Sequence, residues 1–269
     1  MKRSFIALLA GILLLAACST PKKTENTSIA NNGKVWASLW QQRAAEYKAL
    51  CFQAYNVAKF RLDEALKNPG DKPLAIVTDI DETILDNSPY DAGRAIDNKE
   101  YTLDTWKAWT AKGRADTVPG APSFFKYAAS RGVSVFYISN RFEDERAGTV
   151  KNLLLYGLPN VDEAHILIRP TGAGSSKEAR RLQVAKTHNI VLLCGDNLAD
   201  LDLLYDGGLP EAKRQTVTEQ LRKDFGSRFI VIPNADYGDF EGAFFNGNYK
   251  QSGAQKDSII RAKIKVDKE

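Results

Sequence analysis

Cysteine is scarce, with three residues in 269, at Cys18, Cys51 and Cys194. That is too few for a disulfide framework to replace a hydrophobic core. Charge of one sign is not in excess either: 37 basic and 33 acidic side chains, spread along the chain, leave a net charge of +4. No basic stripe therefore marks a polynucleotide partner. Internal repeats are absent, and the apolar run from Phe5 to Ala17 is too short for a permanent membrane span. What is there is 43% hydrophobic and 26% charged residues, a balance that supports one large or two small globular domains.

Lys2 and Arg3 before that run make residues 1–17 a signal peptide. The run ends in Leu15-Ala16-Ala17-Cys18, which resembles a bacterial lipobox, so Cys18 is the expected lipidation site and mature N-terminus. Ser19 fits sorting to the outer membrane by the same resemblance. Residues 18–32, rich in Lys, Thr, Ser and Asn, read as a tether. With Cys18 assigned, Cys51 and Cys194 either pair or stay free, and Cys194, in an apolar run, reads as a buried small hydrophobe.

Residues 33–73 carry apolar side chains at helical spacing (Trp36, Leu39, Trp40, Ala44, Tyr47, Leu50, Cys51, Ala54), closed by Pro69-Gly70. One long helix or two shorter ones fit. The run Leu74 to Thr78 then meets Asp79 and Asp81 abruptly, as a buried parallel strand does at its carboxyl end. Further strand runs, Val133 to Ser139, Ala164 to Ile168, Ile190 to Leu193 and Phe229 to Ile232, alternate with helical patterns at Ser123 to Ala129, Glu143 to Tyr156 and Ser176 to Lys186. Such alternation predicts an α/β fold with a Rossmann-like parallel sheet flanked by helices. The core is expected over 74–83 and 120–235. The aromatic, polar stretch 84–119 reads as an inserted, mainly helical cap, and 236–269 as a C-terminal segment that contributes part of it.

In such sheets ligands bind beyond the carboxyl ends of the strands, where Asp79, Ser139 and Asp196 would converge. Two aspartates at i and i+2 repel one another, and a cation resolves that repulsion. Asp79-Ile80-Asp81-Glu82-Thr83 supplies a D-x-D-x-T pattern; Ser139 closes the second strand; Lys177 follows the loop Thr171 to Ser176; and Gly195-Asp196-Asn197-Leu198-Ala199-Asp200 follows the fourth strand. Arg180 and Arg181 read as surface residues.

These four segments, in this order, resemble the haloacid dehalogenase superfamily of aspartate-nucleophile phosphatases. The segments Ile76 to Tyr90 and Val191 to Asp200 are similar to the paired signatures of class C acid phosphatases, above all the lipoprotein e(P4) family of 5′-nucleotidases. Leu201, where an aromatic residue is usual, is one departure. The resemblance implies Asp79 as nucleophile and Asp81 as acid and base. It also implies Mg²⁺ held by Asp79, Asp196 and the Asp81 backbone carbonyl, with Asp200 orienting a ligand. Ser139 and Lys177 would hold the phosphate. Trp106 and Tyr237, with Trp109 and Tyr90 nearby, would stack a base, making the substrate a nucleoside 5′-monophosphate or nicotinamide mononucleotide. Dimers are familiar in the family. Sugar, aryl or protein phosphates are the alternative substrates, and a ligand-binding lipoprotein, with His165 and His188 on a haem, is the alternative class.

Overall fold

The computed structural model describes residues 28–267, so the signal peptide, Cys18 and most of the tether fall outside the described residues. In chain order the strands are β1 (Leu74–Thr78), β2 (Leu85–Asp86), β3 (Asp116–Thr117), β4 (Ser134–Ser139), β5 (Ile166–Ile168), β6 (Asn189–Gly195) and β7 (Phe229–Val231). The helices are α1 (Ile29–Arg43), α2 (Ala45–Ala65), α3 (Ser88–Ile96), α4 (Leu103–Thr110), α5 (Ala121–Ser130), α6 (Arg146–Leu155), α7 (Glu178–Thr187), α8 (Glu211–Gln220), α9 (Asp239–Phe244) and α10 (Gly253–Lys263).

Five strands form one parallel sheet in the order β5-β4-β1-β6-β7. Every residue of β1 is buried, which is why it reads as an unbroken apolar run and lies at the centre. Its side chains still alternate between faces. Leu74 and Ile76 join the larger core, with Tyr47, Cys51, Tyr55 and Leu62 of α2 and Phe125 of α5. Ala75 and Val77 face Phe136, Ile138 and Val184 of α7 on the other side. Cys51 and Cys194 are both free and buried in the larger core, so they act as small apolar side chains.

The antiparallel pair of β2 and β3 joins Leu85 to Thr117 and Asp86 to Asp116. It thereby draws together the two ends of the excursion that carries α3 and α4. α1 packs against both α3 and α10, so chain from both termini reaches the roof over the sheet.

The helical pattern of residues 33–73 resolves into two helices because Ala44 adopts an extended conformation between them. α1 starts at Ile29, inside the stretch 18–32 read as tether. Its start is fixed from a distance: the Asp257 carboxylate of α10 accepts hydrogen bonds from Ser28 Oγ at 2.9 Å and the Ala30 N–H at 3.4 Å. That satisfies a free helix N–H with an acceptor more than two hundred residues away, which local composition does not reveal.

The roof meets the core where α6 crosses the end of α4. A Cβ added at Gly148 would lie 2.3 Å from the Thr110 carbonyl oxygen and 2.9 Å from Ala111 Cα. Gly148→Ala should therefore destabilise the fold by about 1–3 kcal/mol through overpacking. Gly33→Ala, in α1 with nothing within 4 Å of the new methyl, should stabilise it by about 0.5–1 kcal/mol. Denaturant unfolding of the two variants checks both signs.

Candidate active site

Asp79 and Asp81 follow β1 directly, and Asp196 and Asp200 follow β6, its neighbour in the sheet. The Asp79 N–H donates to the Cys194 carbonyl at 2.9 Å, so the ladder continues to the aspartates and fixes their approach. Carboxylate oxygens of Asp79, Asp196 and Asp200 lie within 4.8 Å of one another. Gly195 makes this spacing feasible, because a Cβ there would come within 2.5 Å of Asp200 Cβ.

Lys177, the residue before α7, is buried and carries the countercharge. Its ammonium donates to Asp79 Oδ1 and lies 2.7 Å from Asp200 Oδ1. Burial alone would lower the lysine's proton affinity, but Asp200 and then Asp79 outweigh it and hold the ammonium above its ordinary range. Asp79 is still pushed up to about 7. Burial is the largest cause; Lys177 opposes it, and the carboxylates of Asp200 and Asp81 add to it. Asp196 is raised well above its ordinary value by burial, then by Asp200 and Asp79. Hydrogen bonds from Thr83 Oγ1 (3.2 Å) and Asn234 Nδ2 (2.8 Å) orient it. An all-oxygen set with excess negative charge suits a hard divalent cation.

The Asp81 carboxylate stands outside this group. Arg141 grips it with Nη2 at 2.6 Å and Nε at 3.1 and 3.2 Å, and Asn87 Nδ2 donates at 2.9 Å. Its side chain is thus committed elsewhere, leaving only the backbone carbonyl for the metal role expected of this residue. Arg141 is buried and held in turn by Thr149 Oγ1 at 2.9 Å. Neither Arg141 nor Asn87 stood out in the sequence, although both lie within the segments that carry the motifs.

Ser139 ends β4 and is fully buried, its Oγ accepting from the Arg141 N–H at 3.1 Å. It lies behind the cavity wall, whereas Asn140 and Arg141 line it. Arg180 and Arg181 are buried rather than on the surface. Arg180 donates to the Ser139 carbonyl at 2.6 Å and to Asn140 Oδ1 at 2.7 Å. Arg181 donates to the carbonyls of Ala199 (3.0 Å) and Asp200 (2.8 Å). A helical Arg is ordinarily solvated, but here each guanidinium ties down loop carbonyls that would otherwise be buried unpaired.

Over these groups lies a cavity of about 600 Å³. Asp79, Asp81, Asp196, Asp200 and Lys177 line one part of it, and Tyr101, Trp106 and Tyr237 provide aromatic wall. The Tyr237 hydroxyl donates to Glu82, a buried carboxylate with a left-handed backbone (φ 53°). Glu82 also accepts from the Asn87 N–H at 2.7 Å, which links the cavity wall to the residue holding Asp81. Tyr90 packs behind Trp106, with ring centroids 5.3 Å apart. Trp109 donates from Nε1 to Asn87 Oδ1 at 2.8 Å, so of the two tryptophans only Trp106 reaches the cavity. His165 and His188 flank the Phe136 ring at 4.7 and 4.9 Å and take no part in the lining.

Residues 15–240 match the family described as HAD superfamily, subfamily IIIB (acid phosphatase). The class C acid phosphatase of Bacillus anthracis is 40% identical, with a TM-score of 0.83 over 89% of this chain and 99% of that one. The chain belongs to the class C acid phosphatases, subfamily IIIB of the HAD superfamily. A crystal structure of the same Bacillus anthracis protein with tungstate bound is 39% identical, with a TM-score of 0.84 over 90% of this chain and 100% of that one. More distant are the stem 31 kDa glycoprotein of Glycine max, 26% identical over 126 residues (45% of this chain, 50% of that protein), and acid phosphatase 1 of Solanum lycopersicum, 26% identical over 131 residues (46% and 51%). The chain spans about half the length of these two curated relatives. Among the described residues, no helix of this class C acid phosphatase family member is long and apolar enough to cross a membrane.

The raised carboxyls give stability a defined pH dependence. The folded value of Asp79 is about 7 against an ordinary 3.8, so the folded chain binds this proton more tightly than the unfolded chain. Stability from this group is complete below the ordinary carboxylate range and is lost as pH rises through about 7. Asp236, raised to about 6, and Asp91, raised to about 8, act in the same sense. In chelator, the melting temperature should fall between about pH 5 and about pH 8, and Asp196→Asn should melt higher than wild type at the upper end. Thermal scans across that range check both.

Proposed function

We propose that this protein is a Mg²⁺-dependent phosphomonoesterase that hydrolyses nucleoside 5′-monophosphates, nicotinamide mononucleotide among them, through a phosphoryl group carried on Asp79. One observation carries the reading: the Asp79, Asp196 and Asp200 cluster, with Lys177 paired to Asp79 and Asp200, lines a cavity whose wall is aromatic. Tungstate is a tetrahedral oxyanion of phosphate shape, and the 39% identical relative is described with it bound.

Asp79, Asp196 and the Asp81 carbonyl would hold the metal, with Asp200 orienting a ligand. When bound, Mg²⁺ supplies positive charge that offsets the like charges of the aspartates and the phosphate. Asp79 attacks phosphorus in line while Lys177 holds an equatorial oxygen as charge redistributes. Ser139, fully buried behind the cavity wall, contributes by accepting from the Arg141 N–H and so setting the loop that presents Asn140 and Arg141 to the cavity. Asp81 protonates the departing oxygen, then deprotonates the water that cleaves the phosphoryl–Asp79 bond. Proton delivery requires one Asp81 oxygen to leave its guanidinium partner, so Arg141 parks this residue between turnovers.

The cavity volume of about 600 Å³ suits a small molecule, which favours a nucleotide over a phosphorylated protein. Trp106 and Tyr237 offer faces to a base, a contact that tolerates base identity and contributes about 1–3 kcal/mol. Lipidation at Cys18 would place the enzyme on the outer membrane, since each buried CH₂ of an acyl chain contributes about 0.8 kcal/mol; a Cys18→Ser variant that stayed in the membrane fraction would refute it.

Steady-state kinetics on nucleoside monophosphates, sugar phosphates and aryl phosphates, with Mg²⁺ or with EDTA, test the function. The expected outcome is turnover lost in EDTA, highest kcat/KM on nucleotides, and a fall of at least about a thousandfold in Asp79→Asn. Trp106→Ala should raise the nucleotide KM by roughly five- to a hundredfold. Full activity of Asp79→Asn would sink the nucleophile assignment, and an unaltered nucleotide KM in Trp106→Ala would sink the stacking.

A further inference from the structure

The cavity lining also includes charged groups that the reaction does not use. Two are ammonium groups already paired: Lys34 with Glu241 at 3.2 Å and Lys256 with Glu100 at 2.8 Å. Beside these pairs and Asp239, Asp91 in the first turn of α3 lines the cavity and is 9% exposed. Among the described residues, six buried side-chain polar atoms have no hydrogen-bond partner, and Asp91 Oδ2 is the one that belongs to a cavity-lining residue. A buried oxygen without a partner is costly, and an arriving ligand can supply what the protein does not. The aromatic faces of Tyr101 and Trp106 line the same cavity.

The geometry points to Asp91 as a specificity residue that hydrogen-bonds a hydroxyl of the leaving group, so that the cavity selects phosphate esters of ring-bearing, hydroxylated alcohols over their deoxygenated analogues. This rests on the nucleotide reading and names the part of the nucleoside that is recognised, the sugar hydroxyls. Burial, with Asp236 next and Lys34 opposing, pushes the Asp91 carboxyl up to about 8. Near neutral pH it therefore carries a proton and can both donate and accept, as a hydroxyl partner requires.

The test compares a nucleoside 5′-monophosphate with its 2′,3′-dideoxy analogue on wild type, Asp91→Ala and Asp91→Asn, under Mg²⁺. Wild type should prefer the hydroxylated ester by about tenfold or more in kcat/KM, expressed mainly in KM. Asp91→Ala should bring the ratio near one, and Asp91→Asn, which keeps a donor and an acceptor, should retain most of it. Turnover of an aryl phosphate by each variant shows that the phosphate end is assembled. If wild type hydrolyses both nucleotides without discrimination, or Asp91→Ala discriminates as wild type does, the assignment of Asp91 is overturned while the nucleotide reading stands. If wild type hydrolyses aryl phosphates but neither nucleotide, the nucleotide reading falls and this inference falls with it.

Discussion

Three clustered carboxylates, two of them buried against one ammonium, set the terms for the rest of the molecule. Moving a charge out of water is expensive unless it is paired, and Lys177 is shared between Asp79 and Asp200 while Asp196 relies on the hydroxyl of Thr83 and the amide of Asn234. The deficit appears in the raised carboxyls of Asp79 and Asp196. A fold that tolerates such a cluster must hold it rigidly. Here β1 and β6 lie side by side at the centre of the sheet, so both acidic segments emerge together and the strand ladder fixes their backbones.

Around that centre, buried guanidinium groups fix the loops. Arg180 ties the end of β4 to the chain before α7, Arg181 holds the turn that presents Asp200, and Arg141 clamps Asp81. Each satisfies several acceptors at once, which its planar fork of donors permits. The roof is coupled to the same network, since Asn87 touches Asp81, Glu82 and Trp109, and Glu82 accepts from Tyr237. The aromatic wall is therefore linked to Asp81, the proposed acid and base, by three consecutive hydrogen bonds.

The parallel sheet was legible because its strands are short apolar runs that end abruptly in polar residues, the mark that burial of both faces leaves. The position of the acidic residues was legible for the same reason: Asp79, Asp81 and Asp196 sit at strand tips in chain order. Arg180 and Arg181 were misread because a charged pair on a helix is ordinarily solvated, and only the fold shows the carbonyls they meet. Asp91 and Glu82 were missed because their significance lies in burial and in what is or is not bonded to them. The start of α1 depends on Asp257, far along the chain, so composition placed the end of the tether too late. The inward turn of Trp109, likewise, follows from a single hydrogen bond to Asn87.

A divalent cation bound at the crowded carboxylate cluster would relieve the charge that raises Asp79 and Asp196. Isothermal titration calorimetry of Mg²⁺ into the metal-free protein, repeated in buffers of different ionisation enthalpy near neutral pH, measures both occupancy and the protons displaced. One strong site per chain is expected, with a net release of protons from the raised carboxyls, and loss of both in Asp196→Asn with the circular dichroism spectrum unchanged. Absence of binding in the wild type, or binding of equal strength in Asp196→Asn, would contradict it.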